Sequence, residues 1–233
     1  MEDQDKREDQ VSILMIIAFF RQYINTLKLP LLNVYYDINI DEKVEIFDLG
    51  DLSVPGNTEK DMCTAHLALS NTIEPILVNT KGKVFIIGGS NDCSLASTRS
   101  LANTSEGWMV VHIDGGLDCN EEIKGVNSNS IYRQIHELAV EKKGEVCTFG
   151  CQTLKVHNDE LDFAKSKGGK ILFLKNDIRS QPVLEPIKLT DKVILNTAAG
   201  IMLNQILSKA EKSNKSILIS WDISSLRVLF NTM

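Results

Sequence analysis

Residues 107–118 read "GWMVVHIDGGLD", and the fold of this chain turns on them. A nearly unbroken apolar run from Trp108 to Ile113 ends in Asp114, two glycines, a leucine and Asp118. Such a run suits a strand covered on both faces, as in a parallel sheet flanked by helices. Aspartates closing that strand stand where open α/β sheets gather their ligands, outside the carboxyl ends of the strands. His112 shares a strand face with Asp114, because side chains alternate along a strand. Taken alone, His112 reads as a satisfied buried histidine rather than a ligand. Taken alone, the two aspartates read equally as helix caps or solvated acids.

Outward from this stretch, apolar strands alternate with longer amphipathic segments. Strands are predicted at 44–51 ("VEIFDLGD"), 83–89 ("KVFIIGG"), 108–114, 145–152 ("EVCTFGCQ"), 170–175 ("KILFLK"), 192–197 ("KVILNT") and 216–223 ("SILISWDI"). Helices are predicted at 59–79, 128–143, 157–168 and 198–213; in the last, Ile201, Ile206 and Leu207 share an apolar face. The alternation predicts one α/β domain over 1–233, a three-layer α/β/α sandwich around a mostly parallel sheet. The polar segment 1–10 is expected to be frayed.

Composition narrows the function classes. With 233 residues, 43% hydrophobic and 24% charged, the chain has the make-up of a globular domain with a sizeable core. Its formal charge of -6 and lack of a basic stripe argue against a nucleic-acid partner. The apolar run "VSILMIIAFF" (11–20) is too short to span a bilayer as a helix, so no membrane is expected. The acidic stretch before it is unlike a secretory leader. Five cysteines, odd in number and irregularly spaced, suit reduced thiols and a cytoplasmic address.

Two more predicted strands end in polar or acidic clusters, "GGSND" (88–92) and "ISWDISS" (219–225). In the second, Ser220, Asp222 and Ser224 alternate onto one face, with Trp221 and Ile223 on the other. Asn91 after the glycine pair reads as a turn residue or as a ligand. "GGSND" lacks the spacing of a phosphate loop. Cys93 and Cys119 follow two of the clusters, but no C-x₂-C spacing supports a zinc site.

In this order the three clusters resemble the ureohydrolase family of arginase, agmatinase and formiminoglutamase. That family's motifs GGDHS, DAHTD and SFDID carry six ligands for a pair of manganese ions. The likeness runs from about residue 44 to the C-terminus, helped by "DLGD" (48–51). "GGSND" with "NSNSIYRQI" (127–135) stands nearer the formiminoglutamase-like branch.

The resemblance implies a damaged metal centre. The first-motif histidine falls on Asn91. In the second motif Asp114 and Asp118 are kept, while the histidine becomes Gly116. In the third Asp222 is kept and the second aspartate becomes Ser224. None of His66, His112, His136 and His157 falls on a ligand position, and the histidine that arginases carry near 127–135 aligns with Ile131. One metal position would retain Asn91, Asp114, Asp118 and Asp222, an oxygen set suited to a single Mn²⁺ or Mg²⁺. The other keeps only the bridging Asp114 and Asp222, so a binuclear manganese site is not expected. Asn127, Ser128 and Asn129 either cradle a substrate carboxylate, as the family's equivalent loop does, or form a polar turn. The substrate class implied is a small amidino or formimino compound.

The resemblance also implies a homo-oligomer, trimer or hexamer. Family members continue beyond the point matching Met233 with a further strand inside the sheet. That strand's absence predicts an apolar edge beside 216–223, covered by missing sequence, by a partner or by a rearrangement. Two functional expectations follow. The first is a non-catalytic binding or assembly subunit, and the second is a hydrolase of C–N bonds in linear amidines working through one metal ion.

Overall fold

In a computed structural model of the protein, the described residues are 32–33, 38–39, 47–52, 58–80, 82–121, 127–178, 188–189, 192–193 and 198–222. The segment 1–10 and residues Ile223 and Ser224 lie outside them. The chain divides into two compact units. The smaller, residues 1–51 with 85–89, contains an antiparallel pair formed by Leu32–Asn33 and Ile38–Asn39. Its residues 47–51 and 85–89 have no regular structure.

The larger unit, residues 52–84 and 90–233, carries the helices and the main sheet. In chain order its elements are α1 (Glu59–Asn79), α2 (Cys93–Thr104), β1 (Trp108–Ile113), α3 (Ile131–Glu141), β2 (Glu145–Cys151), α4 (Asn158–Ser166), β3 (Lys170–Phe173), α5 (Ala198–Lys212) and β4 (Ser216–Trp221). The strands form one parallel sheet in the order β3-β2-β1-β4. The chain thus steps outward from β1 to β3, then returns to lay β4 on the other side of β1. Every residue of β1 is buried.

Alternation along β1 assigns its two faces to different layers. Trp108 and Val110 join a core with Leu95 and Leu101 of α2, Ile131, Tyr132 and Ile135 of α3, and Ala164 of α4. Met109, Val111 and Ile113 join Phe149, Leu172, Ile206 and Ala210, with α5 closing the opposite face. Two covered faces make the sheet the middle of three layers, as the apolar runs predict. Helix α1 packs on α2 through Leu69, Ile73 and Ala96. Its start is set by Thr58, whose hydroxyl accepts the Asp61 N–H while Asp61 accepts the Thr58 N–H.

The four predicted helices and the strands at 108–114, 145–152, 170–175 and 216–223 are present, with ends moved by up to three residues. At 170–175 the strand stops at Phe173 because the Asp177 carboxylate takes the Phe173 N–H at 2.7 Å, opening a single π-helical turn, Leu174–Ile178. Two predictions differ from the described residues. At 44–51 the described part, 47–51, is irregular: Gly50 has a left-handed backbone (φ 82°) and donates its N–H to Asp48 Oδ1, so turn chemistry outweighs the apolar pattern. At 83–89 the chain is irregular from Lys83 to Gly88, and Phe85 is 80% exposed. Among the described residues no strand pairs with it, and an apolar run without a hydrogen-bonded neighbour does not make a strand. Of 192–197 only Lys192–Val193 is described, paired antiparallel with Lys188–Leu189. No helix among the described residues is long and apolar enough to cross a membrane.

His136 on α3 is buried, and neither of its ring nitrogens has a hydrogen-bond partner. Burial, with a smaller contribution from His112, pulls its pKa down to about 4. The unfolded chain therefore binds this proton more readily than the folded one. The His136 contribution to stability is complete above about pH 6.5 and is lost as pH falls through about 4. The loss reaches up to about 3 kcal/mol. Urea denaturation series between pH 7.5 and 4, compared for the native chain and His136→Leu, should show a shallower pH dependence in the variant.

Candidate metal centre

Strands β1 and β4 lie side by side and each is followed by an aspartate, Asp114 and Asp222. The ladder continues past both strand ends. The Asp222 N–H donates to the Ile113 carbonyl at 3.1 Å, and the Asp114 N–H donates to the Phe149 carbonyl of β2 at 3.2 Å. The Gln152 N–H then takes the Gly115 carbonyl at 2.8 Å. Asp114 is thus held between neighbours on both sides, at the point where the strand order reverses. Crevices at such reversals are the usual ligand sites of open α/β sheets.

Asp114 is buried. Its Oδ1 accepts the N–H groups of Gly115 and Gly116, the latter at 3.3 Å. Burial alone would raise its pKa, but the His112 imidazole close by, with those two N–H groups, holds it below the ordinary carboxylate value.

Asp118 responds in the opposite sense. Burial, then the charges of Asp114 and Asp222, push its pKa up to about 7, and an amide N–H donated by Asn91 offsets only part of this. Its backbone is left-handed (φ 50°), a conformation aspartate tolerates better than most residues. The Tyr132 N–H at the start of α3 fixes its carbonyl at 3.0 Å.

Asn91 reaches Asp118 from the turn that opens α2, where the Cys93 N–H donates to the Ser90 carbonyl at 3.1 Å. The amide nitrogen of Asn91, rather than its oxygen, faces the carboxylate. Next to it, Asp92 Oδ2 meets His66 Nε2 at 2.8 Å, and Asp92 Oδ1 accepts the Ser90 hydroxyl. The pairing of Asp92 with His66 was not legible in the sequence, because the two stand 26 positions apart on different elements.

His112 is fully buried, as its place in an apolar run predicts, yet hydrogen bonds do not satisfy it. Neither ring nitrogen makes one. Nε2 stands 3.4 Å from Asp114 Oδ2 and 3.9 Å from Asp118 Oδ2. The ring stacks on Tyr132, with centroids 3.6 Å apart and planes 12° from parallel. Beside this stack the Ser94 and Ser220 hydroxyls meet at 2.7 Å, and burial raises the Tyr132 phenol. Ser220 therefore faces α2, on the side the alternation of Ser220 and Asp222 predicts. One ligand atom from each of His112, Asp114 and Asp118 fits within 4.8 Å of the other two.

The two glycines of "HIDGGLD" differ in kind. A Cβ on Gly115 would lie 2.6 Å from Gln152 Nε2 and 3.2 Å from Lys155 Cδ, so packing favours glycine there. A Cβ on Gly116 would meet only Asp118 Oδ1, at an ordinary 3.5 Å. Space for a side chain at 116 is present although the side chain is not.

Asn127 and Asn129 lie in the turn that precedes α3. The Asn127 side-chain oxygen accepts the Asn129 N–H at 3.0 Å, and the Asn127 N–H donates to the buried Ser130 hydroxyl at 3.0 Å. The Asn120 N–H takes the Asn129 carbonyl at 3.0 Å. Cys93, Cys119, Cys147 and Cys151 are free thiols, as is Cys63; burial lifts Cys93 and Cys147 to about 11 and so keeps them protonated.

A profile of the arginase family matches residues 20–230. A search of curated protein sequences gave no match. Among solved structures, the formiminoglutamase of Trypanosoma cruzi, as an Asn→His variant with Mn²⁺, superposes with a TM-score of 0.67 at 19% identity, covering 90% of this chain and 62% of that one. The formimidoylglutamase of Bacillus subtilis gives 0.57 at 20% identity over 76% of this chain and 49% of its own. The arginase of the same organism gives 0.52 at 16% over 78% and 62%. This chain spans less than two thirds of the length of each, and likeness at these identities concerns the fold. With the profile running over most of its length, and with the parallel sheet and strand-end aspartates in place, the chain belongs to the arginase family.

Proposed function

We propose that this is an arginase-family protein whose centre holds one divalent cation instead of a manganese pair, and that it works as a binding or assembly subunit. The observation that carries the reading is the asymmetry around Asp114. On one side Asp118, Asn91 and the charge of Asp222 converge, and burial together with the charges of Asp114 and Asp222 pushes the Asp118 pKa up to about 7. On the other, Gly116 leaves room for a ligand and supplies none. Carboxylates that repel one another around one point are a donor set that suits a hard cation. When bound, a single ion would polarise a water or a carbonyl-like group less effectively than a pair.

The chain's own residues fit a binding role. Asp114 and Asp222 are pinned through the backbone, and α2 brings Asn91 to the same point. A second ion or a proton-transferring group at the position of Gly116 would favour turnover, and Gly116 supplies neither. The reduced thiols suit a cytoplasmic setting, and oligomerisation follows the family.

A specific feature favours a second reading, a metal-dependent hydrolase of linear amidines using one ion. Solved structures of similar fold include formiminoglutamases, one of them an Asn→His variant described with Mn²⁺. In this reading Asp114, Asp118 and Asp222 hold the ion, and an amidino or formimino compound occupies the crevice. Metal-dependent release of formamide or urea, abolished by Asp222→Ala, would establish this second reading over the first.

Elemental analysis after loading with Mn²⁺ should give about one ion per chain, and two tightly held ions would overturn the one-ion reading. Restoring Asn91→His, Gly116→His and Ser224→Asp together should raise Mn²⁺ affinity and approach two ions per chain. In chelator-treated protein, Asp118→Asn removes one of the repelling carboxylates. It should raise Tm by about 2–4 °C, corresponding to about 1 kcal/mol in a chain of this size. With saturating Mn²⁺ the order should reverse, and calorimetry with and without metal reads both signs.

A further inference from the structure

We propose that His112 Nε2 is a ligand of the cation, a nitrogen donor entering from beneath the sheet end. This inference rests on the one-ion reading. The resemblance leaves the centre without histidines, because those positions are Asn91 and Gly116, and neither residue brings nitrogen to a metal in a form it accepts. The fold brings one from elsewhere.

Three observations converge on His112. The first is distance. Donors around a metal with bonds of about 2.1 Å stand roughly 3.0 Å apart at octahedral edges and roughly 3.4 Å apart at tetrahedral ones. Nε2 stands 3.4 Å from Asp114 Oδ2 and 3.9 Å from Asp118 Oδ2. Those spacings are too long for good hydrogen bonds and close to the separations of donors that share an ion. The second is the lack of any competing partner. The ring is fully buried, and neither nitrogen makes a hydrogen bond. A buried polar ring in that condition is costly unless something else satisfies it.

The third observation is orientation. His112 and Asp114 lie two residues apart on one face of β1, so both side chains approach from the same side of the sheet. The face-to-face stack on Tyr132 fixes the ring plane. Tyr132 also ties its own N–H to the Asp118 carbonyl, so one residue positions the imidazole and the carboxylate together. This support replaces the hydrogen bond at the far nitrogen that usually orients a metal-bound imidazole.

A nitrogen donor changes which ion the site prefers. An all-oxygen set of carboxylates and an amide suits Mg²⁺ and Ca²⁺ as well as Mn²⁺, whereas an imidazole shifts preference towards Mn²⁺, Co²⁺ and Zn²⁺. His112 is thus a specificity-determining residue. It makes the centre a mixed nitrogen–oxygen site that favours those ions over the abundant alkaline-earth ones.

The test uses the full chain, stripped with chelator and reloaded with Mn²⁺. Electron spin-echo spectra of the native protein should show modulation from a directly bound imidazole nitrogen, a readout that needs no substitution. In His112→Phe, which keeps a ring to stack on Tyr132, that modulation should disappear. Mn²⁺ and Co²⁺ should bind about tenfold or more weakly, while Mg²⁺ affinity changes little. His112→Asn, with circular dichroism of both metal-free variants, separates lost ligation from lost folding. Bound Mn²⁺ without nitrogen modulation in the native protein would overturn the role of His112 and leave the one-ion centre standing. Failure of the native protein to bind any of these ions would overturn both.

Discussion

The two-sided ladder of β1 is the constraint on which the rest of the structure depends. Its backbone is hydrogen-bonded to β2 on one side and to β4 on the other, and both of its faces are covered. A strand in that position has no freedom to slip, because a one-residue shift would move Trp108 and Val110 out of one core and into the other. The ladder does not stop with the strand. It holds the Asp114 backbone through Phe149, the Gly115 carbonyl through Gln152 and the Asp222 backbone through Ile113. Packing far below the crevice therefore determines where the carboxylates stand above it.

That rigidity creates an electrostatic problem. Burial and the charges of Asp114 and Asp222 push the Asp118 pKa to about 7, while Asp114, supported by two glycine N–H groups and His112, is held below the ordinary carboxylate value. A flexible site would relieve the repulsion by moving apart. Here the Asp118 carbonyl is tied to α3 and its side chain to Asn91, so relief comes from a proton or a cation. The same fixity explains why Gly116 matters. Its position tolerates a Cβ, so the missing side chain is a difference in chemistry that packing did not impose.

Much of this was legible beforehand. The long apolar runs named β1 and β2 as buried strands and β4 as a half-buried one, and the helix periods gave four of the five described helices, α2 excepted, because burial on one face leaves a direct mark on residue order. Asp114, Asp118 and Asn91 were also identified in advance, and the structure brings all three together. Phe85, Ile86 and Ile87 were misread for a physical reason. An apolar run states a wish to be buried, and only a neighbouring strand with free hydrogen-bonding groups makes it a strand. The "DLGD" stretch was misread because a glycine and an aspartate two residues apart satisfy each other locally.

Local pattern determined the α/β class, the positions of four of the five described helices and the identity of the strand-end aspartates, since each depends on residues close in sequence. Tertiary structure alone decided the partners of His112. Its neighbours on the strand mark it as buried, but the stack on Tyr132 and the approach to Asp118 depend on the turn into α3. The link from His66 to Asp92, from α1 to the start of α2, was likewise decided only by packing. Spacing along a chain states which face a side chain takes; what waits on that face is settled when distant segments close upon it.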